Sequence, residues 1–378
     1  MLLKMKVFLF LSAIVSLAFV NVNGQCLPSV TTASGLKAPS TICSGDLIFE
    51  DNFNDFDLQT WEHEMTLGGG GNWEFQWYVN SNQNSFVENG KLYIKPTLTS
   101  DMFGEDFLTS GTVTIPENVC TNAEFYGCQR SGSPENIINP IRSARVRTLQ
   151  SFNFKYGKLE VRAKMPAGDW IWPAIWLLPK TFAYGGWPRS GEIDLTEARG
   201  NRKLFGDKGI NVGVEQAGST LHFGPTPYLN GYPMTNFVRN REPGYDQDFH
   251  TYRLEWTPDT MEFILDGVTL GLINSTADGG FWKRGEFDKR APGMENIWSS
   301  LNAPFDQEFH LIMNNAVGGV NYFSDNFVNR DHPKPWSNNS PRASADFWEA
   351  RADWLPTWNL QNSTDADLQV DYVRVWAL

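Results

Sequence analysis

Several signals that mark common protein classes are scarce or missing in this chain of 378 residues. Basic residues are outnumbered, with 31 Lys and Arg against 43 Asp and Glu, so electrostatics disfavour a nucleic-acid partner. The five histidines are scattered and form no zinc motif, which argues against a catalytic metal. After residue 20, no apolar run is long enough to span a bilayer, so no membrane partner is expected.

Helical periodicity is also scarce, and the sequence has no Pro/Ser-rich linker and no internal repeat. The best helical candidate is 340–355, with Pro341 near the first helical position, where proline is tolerated. Short strand-like runs dominate instead: Lys91–Lys95, Lys158–Arg162, Leu221–Phe223, Tyr252–Trp256, Met261–Leu265 and Leu368–Trp376. Thr257–Asp259 predicts a hairpin turn between the fourth and fifth runs, and Asp266–Gly267 predicts a second turn after them. The pattern predicts an all-β sandwich or jelly roll in a single domain.

The N-terminus has the pattern of a secretory signal peptide. Two lysines and an apolar run, Val7–Val20, precede Gly24, after which cleavage is expected. The sequence therefore predicts a signal peptide at 1–24, a disulfide-tethered lead-in at 25–45 and one catalytic domain at 46–378. The predicted location is extracellular, after secretion.

The cysteines and glycosylation signals fit that secretory route. The four cysteines allow three pairings in an oxidising compartment. The simplest are the pairs that are local in sequence, Cys26–Cys43 and Cys120–Cys128. N-glycosylation sequons occur at Asn274, Asn338 and Asn362.

Three carboxylates, Glu192, Asp194 and Glu197, fall within six residues. Just upstream lies a group of tryptophans: Trp170, Trp172, Trp176 and Trp187. Hydrolysis of a glycosidic bond needs two carboxyl groups flanking the bond, and aromatic faces hold sugar rings. Aromatic residues make up 14% of the chain, with 15 Trp, more than core building is expected to need. The combination predicts a carbohydrate-cleaving enzyme.

The spacing of the three carboxylates predicts a β-bulge. Side chains alternate faces along a strand, so Glu192 and Asp194 point the same way and Glu197 is out of phase. One extra residue near Leu195-Thr196 would return Glu197 to their face, and bulges are frequent beside active sites. Two glutamates on one face can then lie about 5–5.5 Å apart, as in a retaining glycosidase. The alternative is a solvated acidic strand with Ile193 and Leu195 facing the core.

The chain resembles glycoside hydrolase family 16, and within it the laminarinase branch that also holds animal β-1,3-glucan-binding proteins. The residues that carry the resemblance are Trp172–Pro179, Trp187–Glu197, Lys158–Lys164, Ala316–Gly319 and Val370–Trp376. The resemblance runs from about Leu47 to the C-terminus. It implies a jelly roll of two antiparallel sheets with a substrate groove across the concave sheet. The glycine run Gly68–Gly71 lacks the Lys-Ser/Thr of a phosphate loop and is expected to form a flexible loop at the rim of this cleft.

The resemblance also implies a role for each carboxylate. Glu192 matches the nucleophile, Glu197 the general acid/base, and Asp194 the helper beside the nucleophile. Five further residues are implied to bind sugar, Trp172 and Trp187 as platforms and His222, Asn84 and Arg162 as hydrogen-bonding groups. For each of these five, ordinary packing or a place on a strand surface is the alternative.

Many members of the family hold a structural calcium ion on the convex side. The matching position here is Asp371, with backbone oxygens near Asn52 and Gly90. A site made only of oxygen ligands suits Ca²⁺. No cofactor is expected for catalysis.

The predicted function is a retaining endo-β-1,3-glucanase that acts on β-1,3-glucans such as laminarin. A monomer is expected. The alternative is a non-catalytic β-1,3-glucan recognition protein of innate immunity. A third reading is a related hydrolase for mixed-linkage glucan, agar or carrageenan. The presence of both catalytic glutamates favours an enzyme over a recognition lectin.

Overall fold

The fold is built mainly from short β-strands. The computed structural model describes residues 26–378, so the predicted signal peptide lies outside the described residues. The strands, in chain order, are β1 Thr32–Ser34, β2 Leu47–Asp51, β3 Glu62–His63, β4 Gln76–Tyr78, β5 Ser85–Glu88, β6 Lys91–Ile94, β7 Thr97–Leu98, β8 Thr112–Thr114, β9 Gln129–Ser131, β10 Ile141–Ser143, β11 Arg145–Arg147, β12 Asn153–Lys155, β13 Gly157–Lys164, β14 Ile171–Pro179, β15 Glu192–Ala198, β16 Leu204–Phe205, β17 Gln216–His222, β18 Phe237–Asn240, β19 His250–Trp256, β20 Thr260–Leu265, β21 Val268–Asn274, β22 Phe309–Val317, β23 Val328–Asn329 and β24 Leu368–Trp376.

Helices are few and short. The α-helices are α1 Thr99–Phe103, α2 Asp106–Ser110, α3 Ser275–Asp278, α4 Gly280–Arg284, α5 Phe287–Arg290, α6 Ala343–Glu349 and α7 Arg351–Trp354. Turns of 3₁₀ helix lie at Gly69–Gly71, Glu124–Tyr126, Pro227–Leu229, Tyr232–Met234 and Leu355–Trp358. Within residues 26–378, a helix with the length and apolar character of a membrane span is not found.

Two large antiparallel sheets form the jelly roll. The nine-stranded sheet has the order β1-β12-β22-β14-β15-β17-β18, with β11 and then β3 added beside β22. The eight-stranded sheet has the order β21-β20-β19-β13-β24-β6-β5, and β2 also pairs with β24. A small sheet, β4-β10-β7, and two strand pairs, β16-β23 and β8-β9, support the loops at the edges.

The main core lies between the two large sheets. In β13, Leu159, Val161 and Ala163 are buried and alternate with charged side chains that face outward. In β15, Ile193 and Leu195 point into the same core. The outer face of each sheet is therefore left to polar side chains, and on the nine-stranded sheet this face carries the acidic residues of β15.

Several strand predictions are confirmed. β19 and β20 form the predicted hairpin, and β20 turns into β21 through Asp266 and Gly267, whose φ angles are +50° and +74°. β24 covers the predicted range Leu368–Trp376. Its pairing with β2 joins the first part of the domain to the last.

The predicted helix at 340–355 is only partly correct. It is split into α6 and α7, and Pro341 lies before the first helical residue. Ala350 leaves the helical region at φ −87° and ψ 15°. This break lets Phe347 and Trp354 stack at 4.3 Å in a second buried cluster beside β14.

The lead-in is part of the nine-stranded sheet and not only a tethered segment. β1 pairs with β12, and Ser29 Oγ donates to the backbone oxygen of Leu378 at 2.9 Å. Disulfides join Cys26 to Cys43 and Cys120 to Cys128, which are the sequence-local pairs.

The position of the core can be tested with two leucines. Leu254 in β19 is fully buried, so Leu254→Ala should lower the free energy of unfolding by about 2–5 kcal/mol through lost contacts and the cavity left behind. Leu272 in β21 is 56% exposed, so Leu272→Ala should change it by less than about 0.5 kcal/mol. Denaturant unfolding measures both, and equal losses would contradict this core.

Candidate active site

A β-bulge in β15 brings the three acidic side chains to one face. Against β17, Asp194 pairs with Thr220 and Glu197 pairs with Gly218. Leu195 and Thr196 therefore share the single position of Ser219 between those two pairs. Ser219 Oγ donates to the backbone oxygen of Leu195 at 2.7 Å, which holds the displaced strand.

The neighbouring strand shows which residue is the extra one. On β14, Ile175 pairs with Thr196 and Trp176 pairs with Asp194, so Leu195 has no partner there. Leu195 fills the core, and the alternation of the strand restarts at Thr196. The interruption lies where the carboxylate spacing predicts it.

Each glutamate accepts a hydrogen bond from its own tryptophan. Trp187 Nε1 donates to Glu192 Oε2 at 2.9 Å, and Trp172 Nε1 donates to Glu197 Oε1 at 2.8 Å. In each case the other carboxylate oxygen is left for a different partner. An N–H donor favours the ionised form of the carboxylate that it binds.

His222 lies beside the acidic group on β17. Its Nε2 is 3.2 Å from Asp194 Oδ2 and 3.7 Å from Glu192 Oε1. Burial alone would lower the pKa of His222, but the charges of the three carboxylates outweigh it and raise the pKa to about 9.

Asn230 bears on the protonation of His222. The amide nitrogen Nδ2 of Asn230 lies 2.8 Å from Nδ1 of His222, and this orientation suits a neutral ring with its proton on Nε2. The carboxylates favour the doubly protonated ring, which would require the Asn230 amide to turn over. Tyr232 N donates to Asn230 Oδ1 at 3.1 Å and holds the amide in the orientation that suits the neutral ring, so the Asn230 contact opposes the effect of the carboxylates on His222.

Burial and mutual repulsion raise the acid pKa values in this group. The pKa of Asp194 lies well above its usual range because the side chain is buried and because Glu192 and Glu197 are close. Burial also raises the pKa of Glu197, and the charge of His222 and the Trp172 hydrogen bond only partly offset it. The site therefore favours protons on Asp194 and Glu197 at pH values where an ordinary carboxyl is ionised.

A stack of side chains supports Glu197 from behind. Trp172 is buried and lies flat on Tyr322, with ring centroids 4.0 Å apart and an interplanar angle of 5°. The Arg199 guanidinium covers the same tyrosine ring at 3.9 Å and donates to the Tyr322 backbone oxygen. Trp172 therefore has one face covered by Tyr322 and contacts Glu197 through its indole N–H.

Tyr322, Arg199 and Asn230 were not predicted from the sequence. Tyr322 lies 150 residues along the chain from Trp172, and no local pattern links the two. Arg199 follows the acidic motif by two residues, and that proximity was the one available signal.

The tryptophans contribute more to the core than the composition suggested. Trp61, Trp170, Trp256, Trp354 and Trp358 are among the largest fully buried side chains. Of the 15 tryptophans, all within residues 26–378, only Trp187 and Trp73 are exposed, by 40% and 46%. Trp187 is thus the better platform of the two predicted, because Trp172 is only 9% exposed.

Two of the predicted sugar-binding residues lie elsewhere. Asn84 is fully buried, and its Nδ2 donates to the backbone oxygens of Lys95 and Arg142, so it stabilises the chain near β6 and β10. Arg162 projects from β13 on the outer face of the eight-stranded sheet, where it pairs with Asp371. Neither side chain reaches the face that carries Glu192, and both predictions are corrected.

The same ion pair involves the carboxylate that was predicted to hold calcium. The carboxylate on which that prediction depends is bound by the Arg162 guanidinium, and Arg374 donates to the side chain of Asn52. The Arg162 guanidinium thus occupies the one carboxylate of the predicted site, and calcium there stays a prediction. In residues 26–378, the one group of three or more acidic or histidine side chains close enough to share a metal is Glu192, Asp194 and His222.

The three sequons differ in what their side chains do. Asn338 Nδ2 donates to the Phe323 backbone oxygen at 3.0 Å, and its Oδ1 accepts from Lys334 Nζ. Asn274 caps α3 by accepting from the backbone of Ala277, and Asn362 is exposed. Because a glycan attaches at the amide nitrogen, glycosylation of Asn338 would replace its hydrogen bond to Phe323.

Comparison with known proteins identifies the family. Residues 138–283 match the family model for glycosyl hydrolases family 16, a range that includes the whole acidic motif. The chain is 49% identical to the beta-1,3-glucan-binding protein of Penaeus monodon over 346 residues. The matched region covers 88% of this chain and 90% of the relative. The chain belongs to glycosyl hydrolase family 16.

More distant relatives and two solved structures are also similar to the chain. Beta-1,3-glucan-binding protein 1 of Manduca sexta is 34% identical over 363 residues, which is 94% of this chain and 69% of the relative. The laminarinase from Rhodothermus marinus superimposes with a TM-score of 0.53 at 23% identity, over 88% of this chain and 98% of that one. The endo-beta-1,3-glucanase from Pyrococcus furiosus gives 0.53 at 21% identity, over 88% and 94%. At these identities, the two structures support the jelly-roll fold alone.

The Trp172 hydrogen bond can be tested through the pKa of Glu197. Trp172→Phe removes the N–H that stabilises the ionised carboxylate, so the pKa of Glu197 should rise further. Trp176→Phe is the matched control, because the Trp176 indole N–H donates to Asn314 and not to an acid. NMR titration of the carboxyl carbons measures the change, and an equal shift in both variants would contradict the assignment.

Proposed function

We propose that this family 16 protein is a secreted, retaining endo-β-1,3-glucanase that hydrolyses glucans such as laminarin. The observation that carries the proposal is the bulge in β15, since it places two glutamates and an aspartate on one open face. A purely structural strand would not need three buried or half-buried acids to face each other, because their repulsion destabilises the fold.

In the first step, a Glu192 oxygen attacks the anomeric carbon of the sugar. A bond forms between that oxygen and the carbon while the glycosidic bond breaks, and Glu197 gives its proton to the departing oxygen. Trp187 holds Glu192 Oε2, which leaves Oε1 for the attack. A protonated Asp194 beside Glu192 lessens the repulsion on the ionised nucleophile.

In the second step, water attacks the same carbon. Glu197 now takes a proton from the water, and the bond between Glu192 and the sugar breaks, so configuration is retained after two inversions. The raised pKa of Glu197 serves the first step, because the group must still hold its proton near neutral pH. Trp172 binds Oε1, so Oε2 is the oxygen that carries this proton.

The substrate class rests on the relatives and on the surface near the acids. The related animal proteins are named for binding β-1,3-glucan. Trp187 offers an exposed ring beside Glu192, with His222 5.6 Å away, and exposed aromatic rings suit the apolar faces of neutral sugars. The predicted signal peptide and the two disulfides support secretion.

A second candidate is β-1,3-glucan recognition without hydrolysis. The Penaeus monodon relative favours it, because that protein is named for binding and not for cleavage. The intact acidic trio of this chain favours the enzyme. Incubation with laminarin separates the two, since recognition alone creates no new reducing ends.

The roles of the glutamates can be tested by substitution. Glu192→Gln should lower kcat on laminarin by on the order of 10³-fold or more, because the amide cannot act as the nucleophile. Glucan binding should persist, since the shape of the side chain is kept. Asp288→Asn, an exposed carboxylate change in α5, is the control that should leave turnover unchanged.

Azide distinguishes the two glutamates. With an activated β-glucoside, azide should rescue Glu197→Ala and give a β-glycosyl azide of retained configuration, because it replaces water at the glycosyl-enzyme. Rescue of Glu192→Ala should give the inverted product, because azide then attacks in place of the carboxylate. The opposite stereochemistry would mean that Glu197 is the nucleophile and Glu192 the acid/base.

A further inference from the structure

Trp73 is the second exposed tryptophan, and it lies among other exposed rings. Its side chain is 46% exposed, and those of Phe125 and Tyr126 are 41% and 71% exposed. Trp73 and Phe125 meet edge to face with ring centroids 5.6 Å apart. We call these three side chains the aromatic rim.

All three residues of the aromatic rim have left-handed backbone conformations. The φ angles of Trp73, Phe125 and Tyr126 are +53°, +54° and +61°. Bulky side chains rarely adopt this region, and such strain is found where the surroundings impose a functional geometry. The backbone therefore holds three large rings outward at a cost to stability.

Hydrogen bonds and a disulfide hold the two loops that carry the aromatic rim, the glycine-rich loop before Trp73 and the loop that contains Phe125 and Tyr126. Arg130 Nη2 donates to the backbone oxygen of Phe125 at 2.8 Å, and the Cys120–Cys128 disulfide closes the loop. Leu67 N donates to Gly127 O at 2.8 Å, which joins this loop to the glycine-rich one that precedes Trp73. This hydrogen bond ties the start of the glycine-rich loop to the neighbouring loop.

A path of contacts connects the aromatic rim to the side of the candidate active site that holds Glu197. Val320 N donates to the backbone oxygen of Asn72 at 2.9 Å, and Asn321 Nδ2 donates to the Asn72 side chain. The next residue is Tyr322, whose ring covers Trp172, the hydrogen-bond donor to Glu197. The aromatic rim therefore lies next to the wall that supports Glu197.

The composition of this surface suits a neutral sugar chain. Within residues 68–73 and 122–126, Glu124 is the single charged residue, and the exposed Asn122 provides an amide beside the rings. Aromatic faces with neighbouring amides match the apolar faces and hydroxyl groups of glucose, and an ionic partner would find little to bind.

We propose that the aromatic rim is a second glucan-binding surface, which holds a long β-1,3-glucan chain beyond the sugars at the reaction centre. This inference rests on the proposed function and deepens it, because it makes the enzyme selective for polysaccharide over short oligosaccharides. The rim binds chain that the acidic trio does not touch, so its loss leaves the chemical step intact.

The test compares long and short substrates. The triple variant Trp73→Ala, Phe125→Ala, Tyr126→Ala should raise KM for laminarin by about 10-fold, since several stacking contacts are lost together. Its kcat on laminarin and its kcat/KM on laminaritriose should stay within about twofold of the parent. Phe86→Ala, in β5 of the eight-stranded sheet where the ring stacks on Tyr93, is the aromatic control and should change neither substrate.

Two further measurements keep the outcome clear. The thermal midpoint of each variant checks the fold. Trp73→Phe, which keeps a ring, should raise KM for laminarin less than the triple variant does. Equal loss on laminarin and laminaritriose, or no loss on either, would overturn the aromatic rim as a glucan site.

If the parent hydrolyses laminarin and the variant matches it, this inference alone fails. If the parent neither binds nor cleaves laminarin, the proposed function fails and this inference with it.

Discussion

The pairing of Leu195 and Thr196 against the single residue Ser219 is the constraint on which the reaction centre depends. A regular strand would send Glu197 into the core between the sheets, where an acid has no partner. Leu195 faces that core in either case, and the extra residue after it returns Glu197 to the face of Glu192. One inserted position thus satisfies both the apolar interior and the acidic surface.

The pKa values of the acidic side chains are set by opposing effects on the same groups. Burial raises the pKa of Asp194 and Glu197, while His222 lowers the pKa of both in part and the Trp172 indole N–H lowers that of Glu197. Because the effects differ from one acid to the next, neighbouring carboxyls can hold their protons at different pH values. This separation is what a nucleophile and a proton donor in the same site require.

How much of this was predictable depended on whether the signal was local. The bulge, the hairpin of β19 and β20 and the last strand each follow from the spacing of a few consecutive residues. Arg162 was assigned a sugar-binding role from the resemblance, and no local pattern tells which sheet its strand joins. The Trp172–Tyr322–Arg199 stack joins distant segments, so it became visible only in three dimensions. The abundance of tryptophan was misleading for a similar reason, since composition does not distinguish a buried ring from an exposed one.

The central claim is that Glu192 and Glu197 act on one glycosidic bond with retention of configuration. ¹H NMR of laminarin during the first minutes of reaction tests it most directly, before the new reducing ends mutarotate. The account predicts that new β-anomeric ends appear first and that α-anomers follow only by equilibration. Early α-anomers would contradict retention, and bound laminarin without new ends would contradict catalysis itself.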